Sequence, residues 1–185
     1  RIEHPTGSEH AQHLQDLAEF FKLPIRENAE VTQISHQDDL FSVETNDWTI
    51  LSKSVIWAAG EFLYPRLDGF PGSELCRHTA TLTNYADLDG DDFLIIGGYE
   101  SGADAAYHLS KRGKKVTMFD KDDPWGLDNS DPSISLSTFT YERMRDTSFE
   151  ENVTLFPENA VTSIELVDGV YELKSEDGQV FRSKT

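Results

Sequence analysis

The chain has 185 residues, 37% of them hydrophobic, enough to bury a core in one or two domains. Its 34 acids against 16 Lys and Arg give a formal charge of −18, which argues against nucleic acid as a partner and reads as a well-solvated acidic surface. The longest apolar runs are strand-sized, so no membrane span and a soluble protein are expected. The single Cys76 excludes an internal disulfide or Cys-x-x-Cys centre and fits a reducing, cytoplasmic compartment.

The chain opens on Arg1, without a signal-type apolar segment, and reads as a piece of a longer protein. Gly7-Ser8, with Ser8 as N-cap, precedes a helical pattern whose face is Ala11, Leu14, Leu17, Ala18 and Phe21, ended by Leu23-Pro24. Short β-type runs follow at 31–34, 40–43, 48–51 and 55–58, separated by Asp, Asn and Ser clusters. They predict a meander feeding one buried strand. Pro65, Gly69, Pro71 and Gly72 then break the pattern, so 61–72 reads as a crossover near a domain boundary.

The apolar run Phe93-Leu94-Ile95-Ile96 leads into Gly97-Gly98-Tyr99-Glu100-Ser101-Gly102 and on into a helix with Gly102, Ala105, Ala106 and Leu109 on its core face. Lys111 and Arg112 stand in its last turn and Gly113 closes it. Val116-Thr117-Met118-Phe119 is the next strand, ending at Asp120, which completes a βαβ unit. Residues 121–137 read as loop and 138–145 as a short helix. The pattern of 27–54, from Glu27-Asn28-Ala29 through a hairpin to a closing strand, returns at 158–185 from Glu158-Asn159-Ala160. Any two meanders alternate, but the shared order favours duplication. The fold class expected is α/β, a Rossmann-like βαβ nucleotide-binding domain with three-stranded β-meanders.

The glycine turn carries the chemistry. At a strand-to-helix turn, unpaired backbone N–H groups and the positive end of the helix dipole face an anion, the arrangement that cradles a pyrophosphate. Gly97 and Gly102 fill the first and third glycine slots of the dinucleotide pattern. Tyr99 stands where the second is expected, so its side chain must swing clear, with Gly98 supplying freedom beside it. Asp120, at the end of the second strand, can accept from ribose hydroxyls and would repel a 2′-phosphate, whereas Lys121 beside it would do the opposite, leaving NADH and NADPH open. Glu100 suits the helix dipole but would repel pyrophosphate, so its carboxylate is expected to point aside. In Val55-Ile56-Trp57-Ala58-Ala59-Gly60 the strand end is stripped of bulk, which suits close approach by a backbone or a flat ligand and equally suits packing under a helix.

The run from Val55 to Gly60 with Pro65 resembles the apolar-strand Ala-Thr-Gly motif of flavoproteins with two dinucleotide-binding domains, with Ala59 in the Thr position. The run from Phe93 to Ala105 resembles their Gly-x-Gly-x-Ser-(Ala/Gly) NAD(P)H fingerprint. With the repeated meander, nearly the whole chain is similar to an internal segment of the FAD- and NAD(P)H-dependent oxidoreductases, among them flavin-containing-monooxygenase-like and pyridine nucleotide-disulfide oxidoreductase-like members. The resemblance implies FAD against Ala59 and Gly60 and NAD(P)H over Gly97 to Gly102. It also implies a partial FAD-binding domain at 1–65 and an NAD(P)H-binding domain at 66–185. It further places an FAD fingerprint before Arg1 and a returning strand after Thr185, so the segment alone is not expected to turn over.

Where thioredoxin reductases carry Cys-x-x-Cys, this chain has Cys76-Arg77-His78-Thr79, and one thiol cannot make that redox disulfide. The monooxygenase pattern Phe-x-Gly-x-x-x-His is approached by Phe70-Pro71-Gly72, with His78 two residues late. His4, His10, His13, His36 and His108 lack metal spacing and read as surface residues. The function expected is hydride passage from nicotinamide to flavin, monooxygenase-like or reductase-like. A nucleotide-sensing module without turnover is the alternative, and a stand-alone dehydrogenase ranks last because no catalytic constellation is visible.

Overall fold

The computed structural model describes residues 5–60, 64–127, 129, 131 and 133–184. The chain divides into two compact units, Arg1–Ala59 and Gly60–Thr185. That division falls ahead of the boundary expected after Pro65. His4 and Glu61 lie outside the described residues. Among the described residues no helix is long and apolar enough to cross a membrane.

The first unit holds helix α1 (Gly7–Phe20) and an antiparallel sheet of β1 (Val31–Gln37), β2 (Leu40–Thr45) and β3 (Thr49–Ser52), ordered β1-β2-β3. The N-cap of α1 is Thr6 rather than Ser8. Its hydroxyl accepts the Glu9 N–H at 3.3 Å while the Glu9 carboxylate accepts the Thr6 N–H at 2.7 Å, so the reciprocal capping box sets the start. The apolar face read from the sequence is not buried: α1 buries none of its residues, and Leu14 and Phe21 are 52% and 63% exposed. The buried strand expected at 55–58 is absent as well. Ile56 and Trp57 are exposed, and among the described residues no strand pairs with this run, so its backbone has no ladder to join.

The second unit is built on a parallel sheet. Strands β4 (Asp92–Ile96) and β5 (Lys115–Phe119) are joined through α2 (Glu100–Ser110). Helices α3 (Thr138–Met144) and α4 (Thr147–Asn152) then lead to β6 (Val153–Phe156), in the order β4-β5-β6. Gly113, at φ 73°, closes α2: the Lys114 N–H reaches the Leu109 carbonyl at 3.2 Å and the Gly113 N–H reaches Ser110 at 2.9 Å, the paired bonds of a left-handed cap. The short helix expected at 138–145 is present as α3, with Ser137 capping it through the Thr140 N–H, and the described residues of 121–137 join no helix or strand. Helix α4 and strand β6 were not anticipated from the sequence.

Alternation along the strands sends side chains to two faces. Phe93, Val116 and Met118 pack with Ala106 and Leu109 of α2 and Phe149 of α4 on one. On the other, Phe119 meets Ile164 and Leu173 of a second antiparallel meander, β7 (Val161–Val167), β8 (Val170–Ser175) and β9 (Val180–Ser183). The Phe119 ring stacks on Phe156 at 5.2 Å and meets Phe181 edge-on at 4.7 Å. The Ser183 hydroxyl donates to the Asp92 carbonyl at 2.8 Å, tying the last strand to β4. Phe70-Pro71-Gly72 serves this layer too: the Ile164 N–H bonds the Pro71 carbonyl at 3.0 Å, and a Cβ at Gly72, whose φ is 85°, would collide with the Ile164 carbonyl.

Candidate functional site

The parallel register pairs Ile96 with Phe119, so the two strands end level and deliver the glycine turn and Asp120 side by side. The Gly97 N–H continues the ladder to the Phe119 carbonyl at 2.8 Å. Gly97 itself sits at φ 95°, a left-handed conformation that turns the chain toward α2. Gly102 is the closest approach in the turn: a Cβ there would run into the Gly97 carbonyl oxygen. The first and third glycines thus have separate reasons, one conformational and one steric.

Gly98 is buried, and a Cβ on it would strike the ring of Trp125. Trp125 also donates its indole N–H to the Gly98 carbonyl at 2.8 Å. Sequence reasoning missed this tryptophan, whose signal was only an aromatic residue in a loop following the second strand. The Asp120 carboxylate accepts the Gly98 N–H at 2.5 Å on Oδ2 and the Asp122 N–H at 2.9 Å on Oδ1. Asp120 therefore holds the turn from inside. A carboxylate has about four lone-pair sites, so it keeps capacity for further donors.

Tyr99 is the N-cap of α2 and makes no side-chain cap bond, so the first-turn N–H groups of the helix are uncapped by it. Its phenol reaches sideways to the Ser135 carbonyl at 2.9 Å, clear of the turn. Glu100 also turns aside: its carboxylate accepts from the Ser137 N–H, the Ser137 hydroxyl at 3.3 Å and the Thr140 hydroxyl, fastening α3 to α2. The Ser101 hydroxyl is exposed, without a partner among the described residues. Lys121 is exposed and pairs with Asp122 at 3.4 Å. Ala59 and Gly60 are exposed at the division between the units, and Gly60 has φ 73°.

Beside the helix start lies a cleft of about 390 Å³, bounded by Ser101, Asp104, Tyr85 and Arg143. Arg143 is fully engaged there. It pairs with Asp104 and lies over the rings of Phe139 at 4.2 Å and Tyr107 at 4.9 Å. His108 is half-buried rather than a free surface residue, stacked on Tyr85 at 5.5 Å, and burial lowers its pKa. Cys76 is exposed, and desolvation, aided by the Glu74 charge, raises its thiol pKa. His78 caps the short 3-10 turn Thr79–Thr81 by accepting the Ala80 N–H at 3.1 Å on Nδ1.

A strand, a left-handed glycine, a helix start whose N-cap residue makes no side-chain cap bond and an acid at the neighbouring strand end make up a Rossmann-type βαβ unit. The model of the pyridine nucleotide-disulphide oxidoreductase family matches residues 1–185, and the chain belongs to that family. The family is one of oxidoreductases, and membership implies use of flavin and pyridine nucleotide. The CzcO-like oxidoreductase of Geobacillus kaustophilus is 34% identical over 112 residues, 58% of this chain and 32% of its own length. A ferredoxin–NADP reductase of Streptococcus pneumoniae is 29% identical over 140 residues, 73% of this chain and 42% of its own. The chain thus spans well under half the length of these curated relatives.

Among solved structures, bacillithiol disulfide reductase from Bacillus cereus superposes with a TM-score of 0.70 at 18% identity, covering 100% of this chain and 56% of that one. A flavin-containing monooxygenase from Stenotrophomonas maltophilia does so at 0.70 and 20%, covering 96% and 54%. At such identity the likeness establishes the shared fold, a mixed α/β flavoprotein architecture of Rossmann type.

Proposed function

We propose that this chain is the NAD(P)H-binding portion of an FAD-dependent oxidoreductase, monooxygenase-like or reductase-like, with the pyrophosphate seated over Gly97 to Gly102. When bound, the nicotinamide supplies a hydride for the flavin, and the protein's share is binding and orientation. The observation that carries the reading is the start of α2 behind the left-handed Gly97, where the N-cap residue Tyr99 makes no side-chain cap bond to the first-turn N–H groups. Ser101 adds a hydroxyl to that anion site.

Because Asp120 already engages the Gly98 N–H, the phosphate draws on the helix N–H groups, and Asp120 meets the ribose hydroxyls with its remaining lone pairs. Lys121 borders the same strand end. Glu100, fastened to α3, contributes by shaping the turn and keeping its charge off the pyrophosphate. On this reading residues 1–65 belong to a partial FAD-binding domain and 66–185 to the nucleotide domain in a cytoplasmic enzyme. Ala59 and Gly60 approach the flavin, and the segment alone does not turn over.

Calorimetric titration of the folded chain with NADH and with NADPH tests the proposal. Saturable binding of at least one is expected. Silence with both would overturn it.

A further inference from the structure

Three successive peptide units carry the chain from β4 into α2, and each is held by one partner. The Gly97 N–H donates to the Phe119 carbonyl at 2.8 Å, the Gly98 N–H donates to the Asp120 carboxylate at 2.5 Å, and the Gly98 carbonyl accepts the Trp125 indole N–H at 2.8 Å. The first two partners stand at the end of β5, and the third comes from the loop beyond it. A trans peptide is planar, with its C=O and N–H pointing in opposite directions, so a bond to either group fixes the whole unit. Gly97 and Gly98 are therefore each held between two fixed planes, and the indole supplies the last of them.

The loop presents Trp125 from a turn of its own. The Asp123 carboxylate accepts the Gly126 N–H at 3.0 Å, and a Cβ at Gly126 would strike that carboxylate. Pro124 is buried, and the Tyr141 phenol of α3 donates to the Leu127 carbonyl at 2.8 Å and lies 3.2 Å from that of Pro124. Trp125 packs against the core cluster that holds Phe93, Met118 and Phe149, so its indole N–H is aimed from a supported ring. Gly98 is matched to it. The φ of Gly98 is not left-handed, so its backbone suits any residue, and the Trp125 ring is what excludes a Cβ there.

We infer that Trp125 is a positioning residue of the nucleotide cradle: by fixing the plane of the Gly98–Tyr99 peptide it sets the direction in which α2 starts and aims the first-turn N–H groups at the pyrophosphate. The inference rests on the pyrophosphate reading of Gly97 to Gly102. Donors already held in place lose no freedom when the anion arrives, so the clamp acts on affinity through preorganisation. Trp125 acts through Gly98 and touches no phosphate. With Tyr99 in the second glycine slot, the close approach made at Gly98 is to the tryptophan ring, and this pair keeps the turn in shape.

The test is titration of the full chain with NADH and NADPH by calorimetry and with inorganic pyrophosphate by amide chemical shift, in wild type, Trp125→Phe, Trp125→Ala, Gly98→Ala and the double variant Gly98→Ala/Trp125→Ala. Trp125→Phe keeps an aromatic ring on the core and removes the indole donor. It should weaken every probe that wild type binds, pyrophosphate included, by one common factor of roughly two- to tenfold, the scale of one neutral hydrogen bond. The amide resonances of Gly98, Ser101 and Gly102 should move with it while those of β7 to β9 stay in place. A side chain that only packs would lower the urea midpoint and leave both readouts unchanged. Gly98→Ala should weaken binding by at least as much in wild type and by less than about twofold in the Trp125→Ala background, where the ring that excludes its Cβ is gone. Unchanged affinity in Trp125→Phe, or a loss confined to one nucleotide with pyrophosphate unaffected, overturns the role of Trp125 and leaves the cradle standing. No binding of any probe by wild type overturns both.

Discussion

The two meanders are the same object in different surroundings. Each opens with a register shift after its first valine, between Val31 and Gln33 and between Val161 and Ser163, and each has a threonine hydroxyl that spans the sheet, Thr32 to the Glu44 carbonyl and Thr162 to that of Lys174. Each first hairpin turns on two left-handed residues, Asp38-Asp39 and Asp168-Gly169. Yet no described residue of the first unit is buried, whereas Ile164, Leu173, Ser175 and Ser183 of the second meander are. The strand path is therefore coded locally by turns and alternation. What covers a face is decided elsewhere.

The largest test of that difference is truncation at matched positions. Ile34 pairs with Val43 as Ile164 pairs with Leu173, but Ile34 is 38% exposed and Ile164 7%. Ile164→Ala should cost about 2–5 kcal/mol, the range for a buried aliphatic truncation, and Ile34→Ala under about 1 kcal/mol, both read from urea midpoints of this chain. Equal losses would show that the first meander is covered in solution and would erase the contrast.

Gly72→Ala should come next. Its Cβ would press on the Ile164 carbonyl from a left-handed backbone, so a loss of about 1–3 kcal/mol is expected. The loss should appear as faster amide exchange in β7 and β8 with β1 and β2 unchanged. A uniform change across both sheets would mean that Gly72 does not act through the second meander.

Much of this contrast was legible in the sequence, and the failures have a common cause. The repeat, the βαβ unit, the Gly113 cap and the sideways Glu100 follow from local rules of alternation, capping and dipole, and the structure contains each. The 55–58 run reads as a buried strand, and the α1 residues as one apolar face, because apolar patterning signals a surface that wants cover, but it cannot say whether cover is present. Helix α4 and β6 were overlooked although Asp146 caps the Ser148 N–H at 2.9 Å and Val153, Thr154, Leu155 and Phe156 form a strand-like run. Their brevity hid them. Trp125 could be found only once β5 and the turn were placed together, since its meaning lies in a contact with Gly98 far away in sequence.

The smallest effect separates the second hairpins of the two sheets by charge. In the first, the neutral Thr45 hydroxyl accepts the Trp48 N–H at 3.1 Å and donates to the Trp48 carbonyl at 2.9 Å. In the second, the Asp177 carboxylate does the closing, accepting the Ser175 hydroxyl at 2.5 Å and the Gln179 N–H at 3.2 Å, and these bonds lower its pKa, the Ser175 hydroxyl foremost. A carboxylate whose folded pKa is depressed contributes stability that is full above its unfolded value and is lost as pH falls through the folded one. Acidifying from neutral to below the ordinary aspartate range should therefore loosen the turn at Gln179 and leave the turn at Trp48 unchanged. In amide exchange corrected for intrinsic rates, Gln179 should lose protection as pH falls, and Asp177→Asn should make its protection pH-independent. Equal acid sensitivity at Trp48 would show that the difference between a hydroxyl and a carboxylate closure does not distinguish the two copies.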